Sequence, residues 1–257
     1  MKSKLKNACV LLSALVIISC NNSETTDTDN ADTVKNNTTN MDTTMNSMQH
    51  ETGMAVTLFD GKSFSGWHGF NKSGEIKNWA IEDGAMVCLG AAKDAEGGDI
   101  VSDKQYENFE LSWEWKISKG GNSGVMYHVV ENAKYKAPYE TGPEYQMVDD
   151  IGFPEKLEDW QKTGADYAMY AANEKKKVKH VGEWNTSKII YNNGHVEHWL
   201  NGEKIVEFEV SGDDWKKKRA DGKWKDFPDY GSAKKGGIAL QDHGNKAWFK
   251  NITIREL

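Results

Sequence analysis

The sequence predicts an all-β fold, a jelly-roll β-sandwich of two antiparallel sheets, on three observations. Apolar residues recur mostly with a period of two, two Asn-Gly pairs lie between alternating segments, and no long stretch has helical periodicity. Ten tryptophans and nine tyrosines sit in a chain of mean hydropathy -0.73. So many aromatic residues in so polar a chain indicate a packed body, because chains that stay disordered are aromatic-poor. The same hydropathy excludes a multi-span membrane protein, and four prolines exclude a proline-rich linker protein.

The first twenty residues stand outside this fold. Lys2, Lys4 and Lys6 precede an apolar run over residues 8–19, too short to span a bilayer. The run closes on Ser19-Cys20, which resembles a bacterial lipoprotein signal with Cys20 as the lipidated first residue. The expected location is therefore extracytoplasmic, anchored to a membrane by lipid (periplasmic or cell surface). Three lysines leave with the signal, taking the net charge from -7 to -10. An acidic chain disfavours nucleic acid as a partner. Residues 21–53 contain no aromatic residue and are rich in Thr, Asn, Asp and Ser, which reads as a tether. Cys88 remains alone in an apolar stretch and is expected to be a small buried hydrophobe.

The folded body is expected over residues 54–257. Residues 109–117 (FELSWEWKI) place Phe109, Leu111, Trp113, Trp115 and Ile117 on one face and Glu110, Ser112, Glu114 and Lys116 on the other, the pattern of a half-buried antiparallel strand. Further strands are expected over 123–130, 143–148, 187–191, 195–200, 204–210, 236–241 and 246–254. Asn193-Gly194 and Asn201-Gly202 mark hairpins, because both residues of such a pair tolerate positive φ. Residues 155–162 are expected to form one short helix. Residues 211–229 read as a charged exposed loop, in which Trp215 and Trp224 either pin the loop to the body or cover a cleft.

No GxSxG, HExxH, phosphate loop or dinucleotide fingerprint is present, so serine-nucleophile, zinc-protease and nucleotide chemistry lack support. Polar residues gather instead beside aromatics in four places. They are Gly120–His128 with Asn122, Glu140–Asp150 with Glu144 and Gln146, Gly182–Thr186 with Glu183, and Leu240–Gly244 with Gln241 and His243. In an extended chain Glu144 and Gln146 share a face, as do Gln241 and His243. Each cluster also has a plain reading. Glu144 and Gln146 suit a solvated strand face, His128 and His243 suit satisfied histidines, and Trp113, Trp115, Trp199 and Trp248 suit the core. Amides and carboxylates beside aromatic rings match the hydroxyls and C–H faces of a carbohydrate. This pattern leaves binding and catalysis both open.

Six segments carry a closer resemblance: LFDGKSFSGWHGF, GGNSGVMYHVVE, TGPEYQMVDD, GADYAMYAA, GEWNTSKIIYNNGHVEHWLNG and KKGGIALQDHG…AWFKNITIREL. In this order over residues 55–257 they resemble the 3-keto-disaccharide hydrolase family. The resemblance implies a concanavalin-like jelly roll and lyase and hydratase activity on 3-keto-glycosides. In such a reaction Glu144 is the expected general base, His243 the acid, and His128 a group polarising the C3 ketone. Other members carry Arg at the position of His128. Gln146, Gln241 and Asn122 are expected to hold sugar hydroxyls, with Glu183 and His198 as weaker candidates. His198 shares parity with Val196 and Leu200, which also suits burial. A divalent metal on His128, Glu144 and His243 is open, since no ligand-spacing motif links the three. A sugar 3-oxidoreductase is the expected supplier of substrate. The alternative is a non-catalytic carbohydrate-binding module.

Overall fold

The computed structural model describes residues 53–90 and 98–257. The signal, Cys20 and the tether up to residue 52 lie outside the described residues. The described residues form thirteen strands: β1 Val56–Thr57, β2 Trp67–Gly69, β3 Trp79–Glu82, β4 Ala85–Leu89, β5 Ile100–Ser102, β6 Phe109–Ile117, β7 Asn122–Val129, β8 Glu144–Val148, β9 Asn185–Asn192, β10 His195–Leu200, β11 Glu203–Glu209, β12 Gly237–Leu240 and β13 Lys246–Glu256. All pair antiparallel in two sheets. The larger sheet has the order β11-β10-β9-β6-β13-β4-β3, with β1 added beside β13, and the smaller has the order β2-β5-β12-β7-β8. The fold is a jelly-roll sandwich. Every strand expected from residue 109 onward is present. The five before it are two to five residues long, too short for alternation to be read.

The alternation of β6 explains the core. Its inward residues Phe109, Leu111, Trp113, Trp115 and Ile117 meet Val125 and Tyr127 of β7 and Tyr145 and Met147 of β8 in one apolar cluster. Cys88 is fully buried in β4, and burial pushes its thiol pKa well up. Trp199 and Trp248 depart from the core reading. They are half-buried on the outer face of the larger sheet, where Lys188 lies 5.0 Å from the Trp199 ring and Lys116 lies 4.8 Å from Trp248.

Two local expectations differ. Residues 155–162 supply only a 3-10 turn, Asp159–Gln161. The loop at 211–229 contains an α-helix, α1 (Asp213–Asp221), followed by a 3-10 turn, Lys223–Asp226. Helix α1 has acidic Asp213 and Asp214 in its first turn and Lys218 and Arg219 in its last, which suits the helix dipole. Trp215 is its one buried residue, so no apolar stripe announced the helix. Trp215 and Trp224 pin the segment, stacking on either side of Tyr230 at ring separations of 6.0 and 4.1 Å.

One interior group is poorly satisfied. Asp166 has no exposed surface, and neither carboxyl oxygen has a hydrogen-bond partner. The neighbouring hydroxyls of Tyr127 and Tyr230 also lack partners. Burial drives the Asp166 pKa well above its ordinary value, with the Glu144 carboxyl adding to the shift. An acid whose pKa is higher folded than unfolded costs nothing below the unfolded pKa and increasingly more above it. Asp166→Asn is therefore expected to leave Tm nearly unchanged at pH 4 and raise it by several degrees at pH 8. Thermal melts across that range check it.

Candidate active site

The smaller sheet turns one face to the core and the other outward. On β7, Val125 and Tyr127 face inward, while Met126 packs in a separate outer cluster with Val101 and Ala239. Asn122 and Gly124 share the outward face with Met126. In register, Gly124 opposes Gln146 and Met126 opposes Glu144 on β8, so Glu144 and Gln146 also point outward. A Cβ built on Gly124 would lie 2.2 Å from Glu144 Oε1, so the carboxyl rests in the space the missing side chain leaves. Gln241 follows β12, and its N–H donates to Gly124 O at 3.0 Å. Asp99 ends the row, accepting the Asp242 N–H on Oδ1 at 2.8 Å.

Loops close this face into a cavity of about 110 Å³ lined by Asn122, Tyr139, Glu144, Gln146, Tyr167, Lys223, Gln241 and His243. Residues 164–167 bond along the edge of β8, and Tyr167 N–H donates to Glu144 O at 3.0 Å, which sets the Tyr167 ring beside the carboxylate. The segment pinned by Trp215 and Trp224 delivers Lys223. Its ammonium lies 4.2 Å from the Tyr167 ring centroid, 4.8 Å from Trp224 and 5.9 Å from Tyr139. His243 is exposed at the rim, on a turn held by Asn78 and Gly98 donating to Asp242 Oδ2.

The electrostatics single out Glu144. Burial raises its pKa from 4.5 to about 8; the Lys223 charge lowers it, the Asp99 charge raises it, and a hydrogen bond with Gln241 lowers it. Asp99 is itself pushed up to about 7, chiefly by burial. Burial lowers the Lys223 pKa and the Glu144 charge opposes that shift. Asn122 Oδ1 and Gln241 Oε1 are buried acceptors without a partner. Buried polar atoms are seldom left so, and two acceptors facing one cavity suit ligand hydroxyls. A base near neutral pKa, a cation and free acceptors around one small cavity are the parts of a proton-transfer site.

Five of the expected residues thus line one cavity: Asn122, Glu144, Gln146, Gln241 and His243. Three do not: His128 and His198 are buried, and Glu183 lies elsewhere. Simple alternation would put His128 outward with Met126. A β-bulge intervenes instead: the register with β12 shifts between Gly237 and Ala239, and His128 takes φ 53°. This turns the imidazole inward, 4.1 Å from the Tyr191 ring and 5.7 Å from Phe109, with Nε2 2.8 Å from Glu107 O. His198 is wholly buried among Tyr145, Tyr127 and Phe208, its Nδ1 3.0 Å from Gly164 O. Burial lowers its pKa to about 4, so it stays neutral. Glu183 lines a different cavity, of about 420 Å³, with Trp115, Ile117, Val148 and Val181. That cavity also carries Lys119, Asp149, Asp150, Lys179 and His180, and it and cavities of about 620, 370 and 310 Å³ are larger; the small one is set apart by Glu144, a buried carboxyl with its pKa raised to about 8, beside two unpartnered buried acceptors.

The sequence matches the family model described as "3-keto-alpha-glucoside-1,2-lyase-like domain" over residues 54–255. The chain belongs to this family. The 3-keto-disaccharide hydrolase of Bacteroides thetaiotaomicron is 35% identical over 227 residues, covering 79% of this chain and 78% of that protein. A crystal structure from Parabacteroides distasonis, described as a candidate glycosyl hydrolase, is similar with a TM-score of 0.74 and 51% identity, covering 80% of this chain and 94% of that one. A second, described likewise and from the same organism, has a TM-score of 0.60 and 29% identity, covering 79% and 100%. This member of the 3-keto-disaccharide hydrolase family is a glycoside-acting enzyme.

In this family member the metal set of His128, Glu144 and His243 does not assemble, because the β7 bulge commits His128 to the core. Among the described residues, one group of His and carboxylate side chains brings ligand atoms within 4.8 Å of one another: His195, Glu197 and Glu207 on the β10–β11 hairpin. Lys204 already bridges Glu197 and Glu207, at 3.0 and 2.8 Å. Lys223, Tyr139, Tyr167 and Asp99 were missed from sequence. The two tryptophans that are costly to solvate in a charged loop were the available signal for Lys223, which adjoins Trp224.

Proposed function

We propose that this enzyme cleaves 3-keto-glycosides by elimination followed by hydration. The observation that carries the reading is Glu144, a buried carboxyl over Gly124, in one cavity with an exposed histidine and an exposed lysine. A ketone at C3 makes the C2 hydrogen acidic, because the anion left behind is an enolate. Glu144 takes that proton and the electron pair moves to the C3 oxygen. The enolate then re-forms the ketone as a C1–C2 double bond develops and the C1–O bond breaks, with His243 giving a proton to the departing oxygen. Water adds back across the double bond. Its hydroxyl goes to C1, Glu144 returns a proton to C2, and His243 recovers the proton the water gives up. The net change is hydrolysis without an oxocarbenium ion, so the paired carboxylates of ordinary glycosidases are not needed.

Gln146, Gln241 and Asn122 would hold hydroxyls of the keto ring, a reading supported by their shared lining of the cavity. At about 110 Å³ the cavity is well below the roughly 300–1,000 Å³ that encloses a drug-sized ligand. It is too small to enclose a disaccharide, so the leaving group would lie outside it. Substrate supplied by a sugar 3-oxidoreductase and lipid anchoring at Cys20 complete the proposal. The mass of the mature N-terminal peptide tests the anchor.

The deciding experiment follows leaving-group release from a 3-keto-glucoside, with the unoxidised glucoside as control and spontaneous elimination subtracted. Release from the keto substrate alone is expected. Binding of either sugar without release would make the chain a carbohydrate-binding module. The base must be ionised and the acid must hold its proton, so kcat/KM is expected to be bell-shaped, rising as Glu144 ionises with a pKa of about 8 and falling where the acid loses its proton. A flat profile between pH 6 and 9 would remove Glu144 as the base.

A further inference from the structure

We propose that Lys223 is a catalytic residue, the cation that faces the C3 oxygen of the keto sugar and receives its negative charge during enolate formation. This rests on the elimination reading above and names a residue that neither the sequence motifs nor the expected metal set supplied. Proton abstraction beside a ketone needs a positive charge or a strong donor at the oxygen, because that is where the electron pair goes. Around Glu144 the candidates are few. Asn122, Gln146 and Gln241 are neutral amides, Asp99 carries the wrong sign, and His128 is buried outside the cavity. His243 is assigned to the leaving group. Lys223 is the remaining cavity-lining cation among the described residues.

Its position fits the role. Lys223 is exposed as a residue while its charged end is partly desolvated against the aromatic rings, so it lines the cavity and stays open to a ligand. The ammonium lies over Tyr167 and Trp224 at 4.2 and 4.8 Å, contacts that favour the charged form and fix where the head group sits. Its charge also acts on the Glu144 carboxyl, so base and cation flank the same space. The support is rigid. Trp224 stacks on Tyr230, and its Nε1 donates to Tyr167 O at 3.1 Å. A protonated ammonium donates hydrogen bonds and does not attack a carbonyl, so the role assigned here is that of the charged form, and a covalent imine is the outcome that borohydride trapping tests.

The test uses the whole chain and a 3-keto-glucoside with a chromogenic leaving group. Lys223→Met is expected to lower kcat by on the order of 10²–10³-fold with KM changed only a few-fold, the scale of losing one preorganised charge donor. Lys223→Arg should recover part of the loss. The Met variant should also move the rising limb of the pH profile to higher pH, because the cation that favours ionised Glu144 is gone. Thermal melts confirm that both variants fold. A Met variant with wild-type kcat overturns the assignment, and so does a loss of rate with the pH limb unmoved. Loss of wild-type activity to a chelator, restored by a divalent ion, overturns it in favour of a metal. Borohydride treatment with substrate should leave no adduct on Lys223, and an adduct would overturn the non-covalent role. If the wild type itself releases nothing from the keto substrate, the elimination reading fails and this assignment falls with it. Turnover by the Met variant at the wild-type rate removes Lys223 alone.

Discussion

Glu144→Gln is expected to abolish cleavage of 3-keto-glycosides while making the protein more stable. The amide keeps the shape of the side chain and its place over Gly124 but cannot accept the C2 proton. Loss of a positioned general base is worth about 10²–10⁴-fold, and turnover should fall by at least that much. The stability gain comes from the same carboxyl. Its pKa rises from 4.5 to about 8 on folding. The folded state therefore carries no penalty below pH 4.5, a growing one between pH 4.5 and 8, and a constant one above. At pH 7 this amounts to roughly 3 kcal/mol, because each pH unit climbed above 4.5 adds about 1.4 kcal/mol. For a domain of this size each kcal/mol moves Tm by about 2–4 °C. The variant should melt several degrees above the wild type at pH 7 and close to it at pH 4. A Gln variant that retains turnover would remove the base assignment. One that loses turnover without gaining stability would mean that Glu144 is better solvated or paired than its burial indicates. The opposed effects are what a functional group kept at the expense of stability should give.

Gly124→Ala is expected to disable the site through one methyl group. The new Cβ would stand 2.2 Å from Glu144 Oε1 and 2.9 Å from both Cδ and Cγ. Backbone cannot yield readily at the centre of β7, which is paired to β8 on one side and β12 on the other. The Glu144 side chain has to move instead. Displacing a catalytic group by about 1 Å costs on the order of 10²-fold, so kcat should drop by about that factor. The overpacking cost is about 1–3 kcal/mol, which leaves the domain folded. Kinetics with a melting curve check both parts. A variant with normal kcat would show that the carboxyl can work from elsewhere in the cavity. The glycine is needed here for close approach rather than for a special backbone angle.

The two variants bear on different kinds of information in the chain. Period-two alternation and the Asn-Gly turns were readable because each depends only on neighbours in sequence, and they placed the strands from β6 onward. The same alternation put Glu144 and Gln146 on one face before any partner strand was known. Asn122 and Gln241 could be named as polar residues, but not as neighbours. Their meeting depends on β7 lying between β8 and β12, a pairing across more than ninety residues of chain. Alternation alone would also misplace His128, because a bulge is a register event between two strands and leaves no mark in the spacing of one. His198 reversed the case, since its parity with Val196 and Leu200 already suited the buried position it takes.

Lys223 is the clearest limit. It lies in a run of charged residues whose local pattern reads as solvated surface. It becomes a site residue only because Trp215 and Trp224 stack on Tyr230 and swing the segment onto the face that carries Glu144. By itself the sequence determined the sandwich and the inward face of each long strand, and its resemblance to a family pointed to Glu144 as the base proposed here. Tertiary structure decided which histidines reach the cavity, which cation stands beside the base, and how far burial shifts that base towards neutral pH. Those three depend on distances and desolvation, which arise only when strands distant in sequence are brought together.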